Sequence, residues 1–306
     1  MLNLSMKQLR YFDALVRTGH FGRAAADCAI SQPALSVQIR EMEAAIGGAL
    51  VERSARQIHL TALGAAFAPR VREILRAVDA LDQLSRAARG PLSGPLRLGV
   101  IPTVAPYLLP AMVGALSDAF PGLELFPREA VTGKLVTDLI EARLDAAVVA
   151  LPVSEPALTE MPLFDEAFVL VRPAAEAGLP VPSAETLPEM RLLLLEEGHC
   201  FRDQALTFCK LGPAGARTVM EGSSLSTLVQ MVGAGIGVTL LPEIALPVET
   251  RSAQVDRVRL CAPAPGRRIG MVWRRSSPLD GPLRDVAAVL ARLGTESLAQ
   301  ARALLP

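Results

Sequence analysis

Along the first ninety residues, apolar positions recur every three or four places. Leu9, Phe12, Leu15 and Val16 predict an amphipathic helix over 6–18. Residues 21–28, Phe21 to Cys28, predict a short helix whose alanine face lets a neighbour pack closely. Ser31 then has the character of an N-cap, and Pro33 falls in a first helical turn, where a missing N–H costs nothing. Leu35, Ile39, Met42 and Ile46 form the inward stripe of that helix and leave Gln32, Ser36, Gln38 and Arg40 facing outward. Two helices with a tight turn, the second polar near its start, predict a helix-turn-helix. Gln and Arg suit base edges, while Ser hydroxyls and a helix N-terminus suit phosphates. Arg53, Arg56 and His59 lie in a hairpin-like stretch that would flank the groove as a wing. On pattern alone, a small helical bundle with a solvated polar face competes with this reading.

Thr61 predicts the cap of a long helix with a heptad seam through Leu63, Phe67, Val71, Ile74, Val78 and Leu81. Such a seam either packs on its own domain or pairs two chains. A linker follows at 89–95, with two Gly and two Pro in seven residues. Beyond Gly94 the period changes to short apolar strands alternating with helices. Strands are expected at 96–101, 123–126, 146–151, 192–195, 238–241 and 269–273, with helices at 110–119 and 133–142. Strand–helix alternation argues for parallel α/β sheets. The Gly-rich stretch at 233–237 lacks the strand-before, helix-after setting of a phosphate loop and is expected to end a helix before a strand. The tail after Leu279 reads as a helix without legible chemistry.

The whole chain carries 31 basic and 31 acidic side chains. Residues 1–90 hold 12 of the basic and only 8 of the acidic ones, so a +4 first third precedes a −4 remainder. That asymmetry suggests two jobs in one chain and keeps nucleic acid open as a partner. With 51% hydrophobic residues there is ample material for a core, and no apolar run approaches the ~20 residues that span a bilayer. The start has no basic-then-apolar layout of an export signal, so a cytoplasmic protein with no membrane partner is expected. Four Cys in 306 residues are too few for a secreted disulfide scaffold. No metal or cofactor motif is legible.

One segment carries unusual chemistry. Cys200 and Cys209 stand nine positions apart, with His199 and Arg202 close to the first. A neighbouring cation or donor stabilises a thiolate, the species that attacks a peroxide. A second thiol condenses with the resulting sulfenic acid. Free Cys are more often small buried hydrophobes, so from the pair alone both readings stay open. Gly198 would allow a small oxidant close to the backbone. Cys28 and Cys261 are expected in packed positions.

The motifs carry a family resemblance. Residues 21–25 (Phe-Gly-Arg-Ala-Ala), 30–36 (Ile-Ser-Gln-Pro-Ala-Leu-Ser), Gln38 to Glu43 and Leu50 to Thr61 resemble the winged helix-turn-helix of LysR-type transcriptional regulators. Residues 101–110, 162–166, 197–204 and 239–242 are similar to the hydrogen-peroxide-sensing branch of that family, so the likeness covers essentially the whole chain. It implies an α/β regulatory domain of two Rossmann-like subdomains, hinged as in periplasmic binding proteins, behind the winged helix-turn-helix and a linker helix. The expected division is 1–62, 63–90 and 91–306, the last split into about 95–166 plus 270–306 and 167–269.

The resemblance makes Cys200 the peroxidatic thiol and Cys209 the resolving one. It implies that His199, Thr103 and Thr132 hold peroxide or its water partner, and it matches Arg202 and Asp203. The family's basic residue near the sulfur falls on Arg267 or Arg268, because this chain is one residue shorter between Cys261 and Ile269. Gln32, Pro33, Ser36, Gln38, Arg40, Arg53 and Arg56 become the expected DNA contacts. Double-stranded promoter DNA, a second copy through the linker helix, a homotetramer and RNA polymerase are the implied partners, and hydrogen peroxide the signal. The protein is expected not to be an enzyme. Its rivals are a LysR-type regulator of a small anionic metabolite, with incidental cysteines, and a thiol peroxidase. Nine helical positions rise ~13 Å, whereas a disulfide needs Cα atoms within about 7 Å. Closing the bond therefore requires the segment to unwind.

Overall fold

A computed structural model describes residues 3–53, 58–87, 92–183, 186–187, 190–208, 220–261 and 264–305. The chain divides into two compact units, Met1–Gln83 and Leu84–Pro306. In the first, α1 (Met6–Thr18), α2 (Phe21–Asp27) and α3 (Gln32–Ile46) pack around Phe12, Leu15, Leu35, Ile39 and Met42. Each helix has a side-chain cap. Ser5 forms a capping box with Gln8, His20 Nδ1 accepts from the N–H groups of Gly22 and Arg23, and Ser31 Oγ accepts from Ala34 N. β1 (Val51–Arg53) and β2 (Ile58–Leu60) pair antiparallel as the expected wing. Glu43 Oε1 fixes the wing to α3 by accepting from Leu50 N at 2.8 Å and Val51 N at 3.2 Å.

Thr61 caps α4 (Ala62–Ala87) by accepting from Gly64 N at 3.0 Å. The expected seam on this helix splits in two. Val71 is buried in the first unit's core, and Phe67 stands edge-on to Phe12 with centroids 6.1 Å apart. Leu63, Ile74 and Leu81 remain exposed. The reason is that the first turns of α4 belong to the helix-turn-helix core, which claims one side of the stripe.

The second unit is built on a nine-stranded sheet among the described residues. β3 (Gly94–Val100) lies parallel between β4 (Leu123–Glu129) and β5 (Ala146–Leu151). α5 (Ala105–Ala119) and α6 (Thr132–Ile140) connect these strands. α5 begins five residues before its expected start, because Pro106 takes the tolerated first turn and Pro110 lies inside the helix. A second parallel set joins β7 (Leu192–Leu195) to β8 (Met220–Gly222) and β9 (Val238–Pro242). α7 (Cys200–Phe208) and α8 (Leu225–Gly233) belong to this set, and the turn 234–237 after α8 ends a helix before a strand as expected.

The sheet is mixed, not parallel throughout. β6 (Leu158–Pro173) and β11 (Gly266–Arg274) run antiparallel to each other over ten residues of β6 and to their other neighbours. β10 (Val255–Arg259) adds an antiparallel edge on β6. These long strands join two separate hydrophobic cores, and the change falls between Phe164 and Phe168 of β6. The short α9 (Leu246–Glu249) follows β9, and α10 (Asp280–Arg302) packs on the first core through Leu283, Val286 and Leu290. Leu305, just beyond it, enters the second core. Phe164 crosses α10 where residue 294 is glycine, since a Cβ there would stand 2.1 Å from the ring. Among the described residues no helix is long and apolar enough to cross a membrane.

Candidate functional site

The outward face of α3 presents Gln32, Pro33 and Arg40 to solvent, with Ser36 and Gln38 half-buried. Its inner face is fixed by Leu35, Ile39 and Met42, so the outward residues are held at defined angles around a rigid rod. Arg40 Nε donates to Ser36 O at 3.2 Å and lies back along the helix. Gln38 Nε2 donates to Glu41 at 2.8 Å, which spends one of its two donors inside the chain. Arg53 ends β1, but its side chain and the whole of Arg56 lie outside the described residues. Capped helix ends, polar side chains and a wing are what phosphate and base-edge contacts require.

The thiol site forms where the two cores of the second unit meet. β7 delivers the chain to a turn in which Gly198 adopts φ +95, a left-handed conformation that glycine adopts readily. That backbone requirement, rather than space for an oxidant, accounts for the glycine. The turn starts α7 at Cys200, which places the half-buried thiol at the electropositive end of that helix. Cys200 packs against the first core, whereas its neighbour Phe201 is buried in the second. Phe201 stands edge-on to Phe168, centroids 4.7 Å apart.

Over the Phe201 ring also lies the guanidinium of Arg267, 5.5 Å from the centroid. Arg267 is 5% exposed. Its Nε and Nη2 reach Glu166 Oε1 at 2.8 Å. Nη1 donates to Thr103 Oγ1 at 2.6 Å and Nη2 to Thr103 O at 3.1 Å. Because Thr103 Oγ1 accepts from Arg267, its own O–H is left to donate. Glu166 Oε2 accepts from Ile244 N at 3.1 Å. Burial pushes the Glu166 carboxyl above its ordinary range, against the pull of Arg267. Arg268 points to the opposite side of β11, where its side chain is 55% exposed and paired with Asp165 at 2.7 Å. Of the two arginines, the alternation of the strand turns Arg267 inward and Arg268 outward.

Thr103 follows the C-terminal end of β3, and Thr132 opens α6 after β4, the parallel neighbour of β3. Ligands of open α/β sheets collect outside such strand ends. Among the described residues, the buried Thr132 hydroxyl and Gln204 Oε1 have no hydrogen-bond partner. Gln204 stands four residues after Cys200 and therefore on the same face of α7. It had no role assigned from the sequence, although this spacing marked it. His199 is half-buried, and its carbonyl accepts from Arg202 N at 3.0 Å.

The side chain of Arg202 is engaged within its own subdomain. It is buried and donates to Leu195 O at 2.8 Å, and pairs with Glu221 at 2.7 Å, tying α7 to β7 and β8. Asp203 is exposed in the first turn of α7. Cys209, the next residue after α7, lies outside the described residues. Cys28 is half-buried on the helix-turn-helix core, and burial raises its thiol. Cys261 is exposed, contrary to the packed position expected of it.

Two further polar links cross between the cores. Glu249 accepts from Tyr107 Oη at 2.7 Å and from Ser226 Oγ at 2.9 Å. Burial, with Glu249 beside it, pushes the Tyr107 phenol upward. At the end of α10, Arg302 grips Glu243 through contacts of 2.8–3.1 Å, and Glu243 accepts from Ala167 N beside Glu166. The C-terminal helix thus carries chemistry that its Ala/Leu-rich pattern hid.

Comparison with known proteins gives consistent matches. Residues 6–65 match the bacterial regulatory helix-turn-helix protein model of the lysR family, and residues 89–294 match the LysR substrate binding domain. A probable hydrogen peroxide-inducible genes activator of Streptomyces viridosporus is 43% identical, over 94% of this chain and 93% of that protein. The DNA-binding transcriptional dual regulator OxyR of Escherichia coli K12 is 40% identical over 95% and 96%. A hydrogen-peroxide-bound cysteine-to-serine mutant of Corynebacterium glutamicum OxyR superposes with a TM-score of 0.68 at 34% identity, covering 98% of this chain and 96% of that one.

Proposed function

The chain belongs to the LysR family of bacterial transcriptional regulators, and from that premise we propose that it is a DNA-binding regulator of the OxyR kind, switched by hydrogen peroxide through Cys200 and Cys209. The observation that carries this reading is the position of Cys200. Its half-buried thiol lies at a seam of two cores, beside a ring held by the buried Arg267–Glu166 pair. A Thr hydroxyl fixed by that same arginine stands at the C-terminal strand edge.

In the first step the Cys200 thiolate attacks one peroxide oxygen. The S–O bond forms, the O–O bond breaks, and the departing hydroxide takes a proton to leave as water. The Thr103 O–H, oriented by Arg267, is a donor for the leaving oxygen. Thr132 Oγ1 and Gln204 Oε1 supply buried hydrogen-bonding groups without partners among the described residues, which suits a small polar ligand. In the second step Cys209 attacks the sulfenic sulfur. An S–S bond forms, S–O breaks, and a second water leaves. Overall two thiols and one peroxide become a disulfide and two waters, once per signalling cycle rather than in sustained turnover.

α7 runs unbroken from Cys200 to Phe208. Eight helical steps set the Phe208 Cα ~12 Å from that of Cys200, and one further residue reaches back at most about 3.8 Å, so an intact α7 keeps the two Cys beyond the ~7 Å reach of a disulfide. Closure therefore unwinds α7, and this order–disorder step is the switch. Residues 1–62 read DNA, 63–90 pair two chains through the exposed face of α4, and 91–306 sense. A cytoplasmic homotetramer that contacts promoter DNA and RNA polymerase completes the reading.

The decisive measurement is counting free thiols of the reduced full-length protein after one equivalent of peroxide. Loss of two thiols is expected in the wild type, with a Cys200–Cys209 peptide by mass spectrometry. Retention of the Cys200 thiol would sink the proposal. Cys200→Ser must also abolish the peroxide-dependent change in the footprint on promoter DNA.

A further inference from the structure

The exposed large apolar side chains of the first unit fall into two groups. Leu63, Ile74 and Leu81 lie along α4, where a second chain is proposed to cover them. Among the described residues of α1–α3, only Met6 at the start of α1 and Val37 in the middle of α3 are exposed in this way. Val37 is 42% exposed, and Pro33 and Ala34, one turn earlier, are exposed as well. Spacings of three and four place the three side chains in one apolar strip along the first two turns.

The strip cannot turn inward, because Leu35, Ile39 and Met42 already fill the core from the other side of α3. A β-branched residue is also a weak choice for an exposed helical position, where Ala, Glu, Lys or Arg would be favoured. Local propensity and solvation therefore both argue against Val37 unless something covers it. Arg40 lies beside it with its guanidinium folded back along the helix, and Gln32 stands at the capped N-terminus. Such a border of cation and amide complements phosphates and base edges. Within the major groove, the one apolar group that base pairs display is the C5-methyl of thymine.

We infer that Val37, with Pro33 and Ala34 beside it, reads the C5-methyl group of a thymine and is a specificity-determining residue of this chain. The inference rests on α3 being the DNA-recognition helix. It commits the strip to DNA rather than to a second copy or another protein.

The test uses a duplex enriched from a randomised pool by the full-length protein. Each thymine is replaced in turn by deoxyuridine, which removes only the methyl, and binding is measured for the wild type and Val37→Ala. At one position in each half-site, deoxyuridine is expected to weaken wild-type binding about fourfold, the value of one buried methyl-sized group. The same replacement is expected to cost Val37→Ala nothing more, since its partner methyl is already unmatched. Equal deoxyuridine penalties for both proteins, or no penalty anywhere, would overturn the inference while leaving DNA recognition intact. If no sequence is enriched at all, the recognition-helix reading fails and this one falls with it. A change of oligomeric state in Val37→Ala with unchanged DNA binding would assign the strip to a protein contact and overturn the inference too.

Discussion

The proposed recognition helix α3 and the proposed thiol helix α7 are anchored in different ways. α3 has a Ser31 cap, a left-handed Gly47 at its end, and three fully buried apolar side chains over its fifteen residues. α7 has nine residues, and of these Phe201 and Ala205 are its buried apolar anchors. Leu206 and Phe208 pack half-buried on the same core, and the rest of its hold is polar: Arg202 to Leu195 O and Glu221, and the Arg267 guanidinium seated on Phe201. Apolar packing is distributed and fails only with the whole unit. A shorter helix that leans in part on polar tethers can lose them one at a time, and it is expected to open at a lower local energy. A helix that presents side chains to a rigid duplex needs the first design, and one that must melt for a disulfide needs the second.

The largest effect expected from breaking this contrast lies at the seat of α7. Arg267→Met leaves Glu166 buried without its counter-charge, which should cost about 3–5 kcal/mol. Denaturant unfolding of the reduced protein measures it. Replacing both members, Arg267→Met with Glu166→Leu, should recover much of the stability but not the rate of Cys200 oxidation, because Thr103 has lost the donor that orients it. Recovery of both would reduce the pair to a structural role.

Next comes the core of the reader. Leu35→Ala should destabilise the first unit by about 2–5 kcal/mol through a lost contact and a cavity. Promoter affinity should fall at temperatures where the thiol response persists, as shown by binding and thiol titration on one preparation. Simultaneous loss of the peroxide response would show that the two units fold as one and would erase the contrast.

Sequence periodicity made the anchoring of α3 legible in full, because capping, apolar spacing and outward polarity all point the same way. The seam of α7 was hidden for a physical reason. Phe201 and Cys200 are neighbours that serve different cores, so no single period describes them. β6 was missed likewise: it changes core between Phe164 and Phe168, and with that change the alternation that marks a strand is lost. Arg267 and Arg268 were indistinguishable until strand pairing set which face each occupies. Glu166 and Glu243 carry no local signal at all, since their partners stand 101 and 59 positions away.

A smaller effect separates tether from scaffold. Arg202→Met removes the hold of α7 on Leu195 O and Glu221, worth about 1–2 kcal/mol. If unwinding limits closure, the second thiol should then disappear about five- to thirtyfold faster after Cys200 oxidises, since about 1.4 kcal/mol is a factor of ten. Rapid-quench alkylation resolves the two thiols in time. An unchanged closing rate would mean that Cys209, not α7, sets the pace.

The smallest expected effect tests the other side of the comparison. Ser31→Ala removes the acceptor for Ala34 N at the start of α3, a loss of about 1 kcal/mol. Because the apolar face of α3 remains in place, the helix should survive and only its first turn should fray. That turn carries Gln32 and Pro33, so DNA affinity should fall several-fold while the denaturation midpoint of the unit shifts little. Ser31→Asp restores a cap acceptor but adds a negative charge where phosphate is expected to lie. It should therefore regain stability without regaining affinity, and the deficit should shrink as salt is raised. Equal recovery of stability and affinity in Ser31→Asp would mean that no phosphate approaches the N-terminus of α3, and that the helix meets DNA by another face.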